Sequence, residues 1–186
     1  MSAWLPLDQL LQPARFESLL LDLYGPELMP AQRAVLVSQW SKYYFAVLWQ
    51  SLLGGSVLPF FDATEVSLDS RGLPLAVGAQ GACCKGLEAV LEHHLQPMVL
   101  RLAVLGAVAP AVLWGNAGDC LDQALQRSEG DGRGLGCLLT SPDSPLYAAV
   151  SVDAAGRRRR RTCCLSYKVD WVGHCEHCPL LSLVSV

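Results

Sequence analysis

Near the C-terminus the chain reads Arg157-Arg158-Arg159-Arg160-Arg161-Thr162-Cys163-Cys164, then ten residues, then Cys175-Glu176-His177-Cys178-Pro179. Four thiols gathered by so short a loop point to a metal or cluster site. Sulfur is a soft, anionic donor, and sets of four cysteines ligate both [2Fe–2S] clusters and structural zinc. The C-x-x-C half serves either. The adjacent pair says more. Neighbouring Cα atoms are about 3.8 Å apart, and in extended chain their side chains point to opposite sides. Aiming both sulfurs at one ion needs a bent backbone, whereas a two-iron cluster offers more ways to be reached. That favours [2Fe–2S], with zinc still open. Pro179 stops a helix from running back through the second pair. His174 and His177 flank the cysteines, either as exposed loop residues or as groups that tune or ligate the centre.

The rest of the chain reads as a mainly helical α+β body. Residues 7–24 suggest a helix with Asp8 as N-cap, split or delayed by Pro13 and stopped at Gly25-Pro26. A second helix is expected from Pro30 to about Leu53. Its stripe of Leu36, Trp40, Tyr43 and Val47, widened by Val37, Tyr44, Leu48 and Leu52, predicts burial on more than one side. Val57 to Phe61, Glu65 to Leu68 and Leu73 to Val77 read as short strands, with Asp69 to Gly72 a hairpin turn. Gly86 to Leu95 suggests a short helix, Pro97 begins another ending near Ala109, and Pro110 starts a third that reaches Arg127, with Gly115 a candidate kink. Ser128 to Gly136 reads as a polar, glycine-rich loop. Leu146 to Val152 is an expected strand, and Asp153 to Gly156 the turn into the arginines.

Composition narrows the classes. With 186 residues and 52% hydrophobic residues, a single well-buried domain with a short appendage is expected. Met98 to Trp114 is the nearest approach to a membrane span. It carries Arg101 and Pro110 and offers about a dozen apolar residues where a span needs roughly 18–20. No transmembrane segment is therefore expected. The start, Met1 to Pro6, lacks the basic region of a secretory signal. Eight cysteines, four in metal-like spacing, then fit a reducing cytoplasm. Cys83, Cys84, Cys120 and Cys137 read as buried or spectator thiols. Five of the 14 basic residues are Arg157 to Arg161; outside them nine basic residues face 17 acidic ones, a balance of −8. One positive spot on an acidic body is a local docking feature, and a nucleic-acid partner would need a wider basic stripe.

The pattern Arg-Arg-x-Cys-Cys-x10-Cys-x2-Cys resembles the FhuF family of ferric-siderophore reductases. Cys163, Cys164, Cys175 and Cys178 take the cysteine positions, with Arg160-Arg161 before them and Tyr167 and Pro179 within the pattern. His94-Leu95-Gln96-Pro97 and Leu113-Trp114-Gly115-Asn116 also look like family segments. The resemblance implies a body over 1–156 with a β-hairpin near 64–78, and a C-terminal [2Fe–2S]-binding segment over 157–186. It implies that Cys163, Cys164, Cys175 and Cys178 hold the cluster as the redox centre, and that chelated Fe³⁺, of hydroxamate type, is reduced by one electron and released as Fe²⁺. The partners so implied are a ferric siderophore and an electron-donating reductase or ferredoxin-type protein. The place implied is the cytoplasm, with room for contact at the inner membrane face. Arg158, Arg160, Arg161, His94, Trp114 and Asn116 are candidates for docking substrate or donor. The alternatives are a structural zinc protein and an iron–sulfur sensor or carrier without its own substrate.

Overall fold

A computed structural model describes residues 4–79, 81–128 and 132–183. The chain opens with a short strand β1 (Trp4–Pro6), then α1 (Leu7–Leu10) and α2 (Pro13–Tyr24). Pro13 does split the first helical region, because it has no N–H to continue α1 but suits a first turn. Asp8 is no cap: its carboxylate accepts from the Gln9 N–H at 2.7 Å, and Pro6 stands at the cap position. The long helix α3 (Arg33–Leu53) starts three residues after Pro30, which sits in a run of turns, and it ends at Gly54. Ten of its residues are buried, including Trp40, Tyr44, Leu48 and Trp49, so it is surrounded as its wide apolar face predicts. Tyr43 departs from the predicted stripe and is 46% exposed.

Two strands, β2 (Thr64–Leu68) and β3 (Pro74–Ala79), form the predicted hairpin. The Asp69 carboxylate accepts from the N–H groups of Arg71 and Leu73 at 2.9 and 2.8 Å, and Gly72 takes a φ of 93°. The third strand of this sheet is not the expected Val57 to Phe61. That stretch makes only an isolated bridge, Pro59 to Cys83, and Pro59 itself cannot donate to a ladder. β1 pairs with β2 instead, in the antiparallel order β1-β2-β3. Three residues are too few for periodicity to reveal.

Next come α4 (Leu87–Val90), a π-helical turn (Leu91–Leu95) and α5 (Gln96–Gly106), running as one rod where two helices are expected. The wide turn lies just ahead of Pro97, where an ordinary helix would ask for the missing N–H. Ala107, at φ 47°, ends the rod, and α6 (Pro110–Arg127) follows unbroken through Gly115. Then come α7 (Cys137–Thr140), β4 (Val150–Val152) and β5 (Arg158–Arg160), the last two an antiparallel pair. The expected strand from Leu146 is thus shorter at its start. Of the predicted glycine-rich loop, residues 129–131 lie outside the described residues. Helix α6 packs along α3, and one contiguous core runs between them, α5 and the sheet. Among the described residues no helix is long and apolar enough to cross a membrane.

The π-turn sends His94 into this core, where it is fully buried. Its Nδ1 lies 2.7 Å from the Pro59 carbonyl, which only accepts, so Nδ1 carries the proton and Nε2 accepts from the Tyr44 hydroxyl at 2.8 Å. Burial holds the imidazole neutral and lowers its pKa to about 4, against the opposing Pro59 bond. The unfolded chain takes this proton below its ordinary value near 6.5, and the folded chain does not. Stability from this group is complete above that value and drains away as pH falls towards 4, by up to about 3 kcal/mol. Denaturant titrations of wild type and His94→Gln should therefore converge by that amount between pH 7 and pH 4.

Candidate metal centre

Helix α6 offers a groove of missing side chains to the C-terminal arm. A Cβ at Gly115 would stand 1.8 Å from Thr162 Oγ1, and one at Gly118 would stand 2.2 Å from the Ala149 Cβ. The arm lies where α6 has no side chains to hold it off. Within β5, side chains alternate. Arg158 turns to α6, where it pairs with Asp122. Arg159 turns the other way, towards the Cys178 carbonyl at 3.4 Å. Arg160 turns back to α6 and is only 1% exposed at its side chain. It donates to Asn116 Oδ1, to Asp119 Oδ2 at 3.3 Å and to the Thr162 carbonyl at 3.2 Å. His177 closes the network from the far side of the loop. Its Nδ1–H donates to the other Asp119 oxygen at 2.8 Å, while its carbonyl accepts from the Arg160 N–H at 2.8 Å. One carboxylate therefore ties both ends of the cysteine loop to α6.

Directly after the adjacent cysteines, Leu165 takes a left-handed conformation, φ 67°. The charge on Cys163 is influenced by both Cys164 and Cys178, and that on Cys164 by Cys175. Among the described residues, no three His, Cys, Asp or Glu side chains are gathered as metal ligands. Four thiols on one short loop, two of them adjacent, are a soft donor set that fits a [2Fe–2S] cluster.

Helix α3 holds the other side. The Cys164 carbonyl accepts from Ser38 Oγ at 2.8 Å and from Gln39 Nε2 at 3.0 Å, and the Lys42 ammonium stands 3.9 Å from Cys164 Sγ. Asn116 braces Ser38, donating to its carbonyl and hydroxyl oxygens at 2.9 and 3.0 Å. The Leu165 N–H donates to Cys163 Sγ at 3.3 Å, and His174 Nδ1 lies 3.3 Å from Cys178 Sγ with its ring stacked on Tyr167. The hydrogen bond from Cys175, and then Lys42 against the effect of burial, pull the Cys164 thiol below its ordinary range, while that same bond and burial push Cys175 up. Burial pushes the Cys163 thiol up. Cys164 and Cys178 are buried; Cys163 and Cys175 are half-buried and give the site an open edge.

The docking candidates fall in different places. Arg160 and Asn116 are buried against each other, Arg160 at the wall of a cleft between α3 and α6, and His94 is in the core. Arg161 is spent on carbonyls of the preceding loop, Tyr147 and Pro145. Trp114 is half-buried in a separate cleft with Leu100 and Pro145. Of the other thiols, Cys84 and Cys120 are buried, Cys83 is half-buried and Cys137 is exposed. Ser38, Gln39, Lys42 and Asp119 do not announce themselves in the sequence. The spacing Gly115-x-x-Gly118 does: two glycines in mid-helix mark a close approach by something else.

Comparison with known proteins gives two family matches. The model described as "Ferric iron reductase FhuF-like transporter" matches residues 59–161. The model described as "FhuF 2Fe-2S C-terminal domain" matches residues 160–180. None of the curated proteins matches the chain.

The close contact on α6 predicts a site-specific failure. Gly115→Ala should lift the arm at Thr162, with a packing cost of about 1–3 kcal/mol. Iron and labile sulfide per chain should fall while helical circular dichroism is kept. Gly136→Ala, whose Cβ would meet nothing within 4 Å, should change neither.

Proposed function

Since the chain belongs to the FhuF-like family of ferric iron reductases, we propose that it passes single electrons to Fe³⁺ held in an oxygen-donor chelate of hydroxamate type, freeing Fe²⁺. Its cofactor is a [2Fe–2S] cluster. When bound, such a cluster supplies a one-electron centre, and four-cysteine examples lie near about −400 mV. Cys163, Cys164, Cys175 and Cys178 are the proposed ligands, on a segment spanning 157–186 that rests on a body spanning 1–156. The observation that carries this reading is the match of residues 160–180, which hold all four cysteines, to the FhuF 2Fe-2S C-terminal domain.

The chain's own residues have definable work in this scheme. Lys42 and the Leu165 N–H direct positive charge and a donor at ligand sulfurs, which moderates how negative the centre is. Ser38 and Gln39 fix the backbone between the adjacent cysteines, so the ligands are set by helix α3 as well as by the loop. Arg160, Asp119 and His177 hold both ends of that loop. A low potential suits the substrate. Hard oxygen donors hold Fe³⁺ far more tightly than Fe²⁺ and so depress the potential of the iron. For one electron every ~59 mV is a factor of ten, and removal of weakly held Fe²⁺ draws an uphill transfer forward. The partners of this reading are a ferric siderophore and an electron-donating reductase or ferredoxin-type protein, met in the cytoplasm.

The purified protein should be brown, with about two irons and two labile sulfides per chain; a colourless protein carrying zinc rejects the cluster. Reduced protein mixed anaerobically with a ferric trihydroxamate should be reoxidised at a rate that rises with chelate concentration, with Fe²⁺ captured by a ferrous indicator. Reoxidation no faster than in buffer removes the reductase reading. Replacing any of the four cysteines with serine should lower cluster content and slow iron release together.

A further inference from the structure

Helices α3 and α6 do not close on each other over their whole length. A cleft of about 300 Å³ opens between them, and its wall includes Lys42, Tyr43, Ala46, Gln123, Glu176 and, at its inner end, Cys175. It runs on into a second cleft of about 230 Å³, with which it shares Ala46, Cys120 and Gln123, and which extends to Leu53 and Arg127. Together they form a trough along the body that begins at a half-buried cysteine of the proposed centre. We propose that this trough seats the ferric chelate. The proposal rests on the reductase reading above, whose uncharged or singly charged trihydroxamate is the occupant, and adds to it a place.

Position argues first. A small ligand on the outer side of Cys175 is separated from the centre by no more than a ligand side chain. A chelate in the Trp114 cleft touches none of the four cysteines. The chemistry of the walls argues second. Arg160 and Asp119 both border the trough but neutralise each other, and His177 is bound to the same carboxylate. What remains is Lys42 and Arg127 against Glu176, an excess of one positive charge. Lys42 is already engaged with Cys164 Sγ. A centre ligated by four thiolates is itself anionic, so a trianion placed beside it gains too little compensation. A chelate without net charge has no such requirement. It needs apolar surface and a few donors for its oxygen rim, and Ala46, Leu53 and Ala124 supply the first while the Tyr43 hydroxyl and the Lys42 ammonium supply the second. Tyr43, 46% exposed, is part of the cleft wall.

The test separates seat from chemistry with a gallium(III) trihydroxamate, which matches the ferric complex in size and charge and takes no electron. It is titrated into the cluster-loaded, oxidised protein and followed by calorimetry. Wild type should bind it. Ala46→Trp, which fills the trough, should weaken trihydroxamate binding by about tenfold or more, and Tyr43→Ala, a change at an exposed side chain, by severalfold. In both, the visible spectrum of the cluster should be unchanged. In reoxidation assays both should raise the concentration of ferric trihydroxamate needed for half-maximal rate and leave the limiting rate near wild type. Leu100→Ala, in the Trp114 cleft, should alter neither. The seat is overturned if reduced wild type is reoxidised by the ferric chelate while both trough variants bind gallium chelate as wild type does. If wild type binds the gallium complex in the trough but is not reoxidised by the ferric one, the seat stands and the reductase reading falls.

Discussion

A guanidinium with 1% of its side chain exposed must find its counter-charge inside the protein, and Arg160 finds it on one helix. Asp119, Asn116 and the Thr162 carbonyl take its donors. A buried pair of this kind gives little net stability, since desolvation costs about what the attraction returns. It gives register. Arg160 can satisfy its charge in one place only, and Cys163 and Cys164 follow it by three and four residues. The cysteines therefore stand where α6 puts them. Gly115 and Gly118 permit the approach, Asp119 fixes its depth, and His177 applies the same carboxylate to the far end of the loop. Gly115, Gly118 and Asp119 on one helix so locate the arm, and His177 ties the far end of its loop to the same helix.

The proposed centre is consequently shared between arm and body. The loop supplies sulfur, but α3 supplies the ammonium near Cys164 and the two donors on its carbonyl. Asn116 links the two supports, accepting from Arg160 while donating to Ser38 and Ser41. A polar chain thus crosses the core from the arm to the middle of the longest helix. Every member has a partner, which is the condition under which such a network rigidifies a structure. The trough that reaches Cys175 is bounded by these same two helices, so whatever occupies it is positioned by the elements that position the ligands.

Much of this was readable beforehand, and what was not has physical reasons. The four-cysteine pattern is visible in the sequence itself, and the adjacent pair favours a two-iron cluster while leaving zinc open until the family match. The helical body and the Asp69 hairpin follow from periodicity and turn chemistry. β1 escapes because three residues carry no period, and it is the sheet rather than its own propensity that makes it a strand. The rod through Pro97 escapes because proline reads as a boundary, and only the wider turn before it lets the helix continue. Arg160 and Asn116 suggest docking because charged and amide side chains are usually exposed. They are buried against each other, and Arg160 also against Asp119, across 44 and 41 residues of sequence, and no local pattern reports such partners. Lys42 and Ser38 are invisible for the same reason: their contacts with Cys164 span more than a hundred residues.

The loop between the two halves of the cysteine pattern is drawn together at its base, where Ser166 Oγ donates to the Gly173 carbonyl at 2.9 Å. Residues 167–172 lie beyond that pinch, and Trp171 at their tip is 74% exposed. Extra chain inserted there would extend a closed surface loop, at about 0.6 kcal/mol for each doubling, and move no sulfur. An insertion between Cys163 and Cys164 would swing one of them to the opposite side of the backbone. Two of the three intervals of the pattern are therefore unequal in this respect. The interval of ten can stretch as the protein diverges, and the interval of none is rigid.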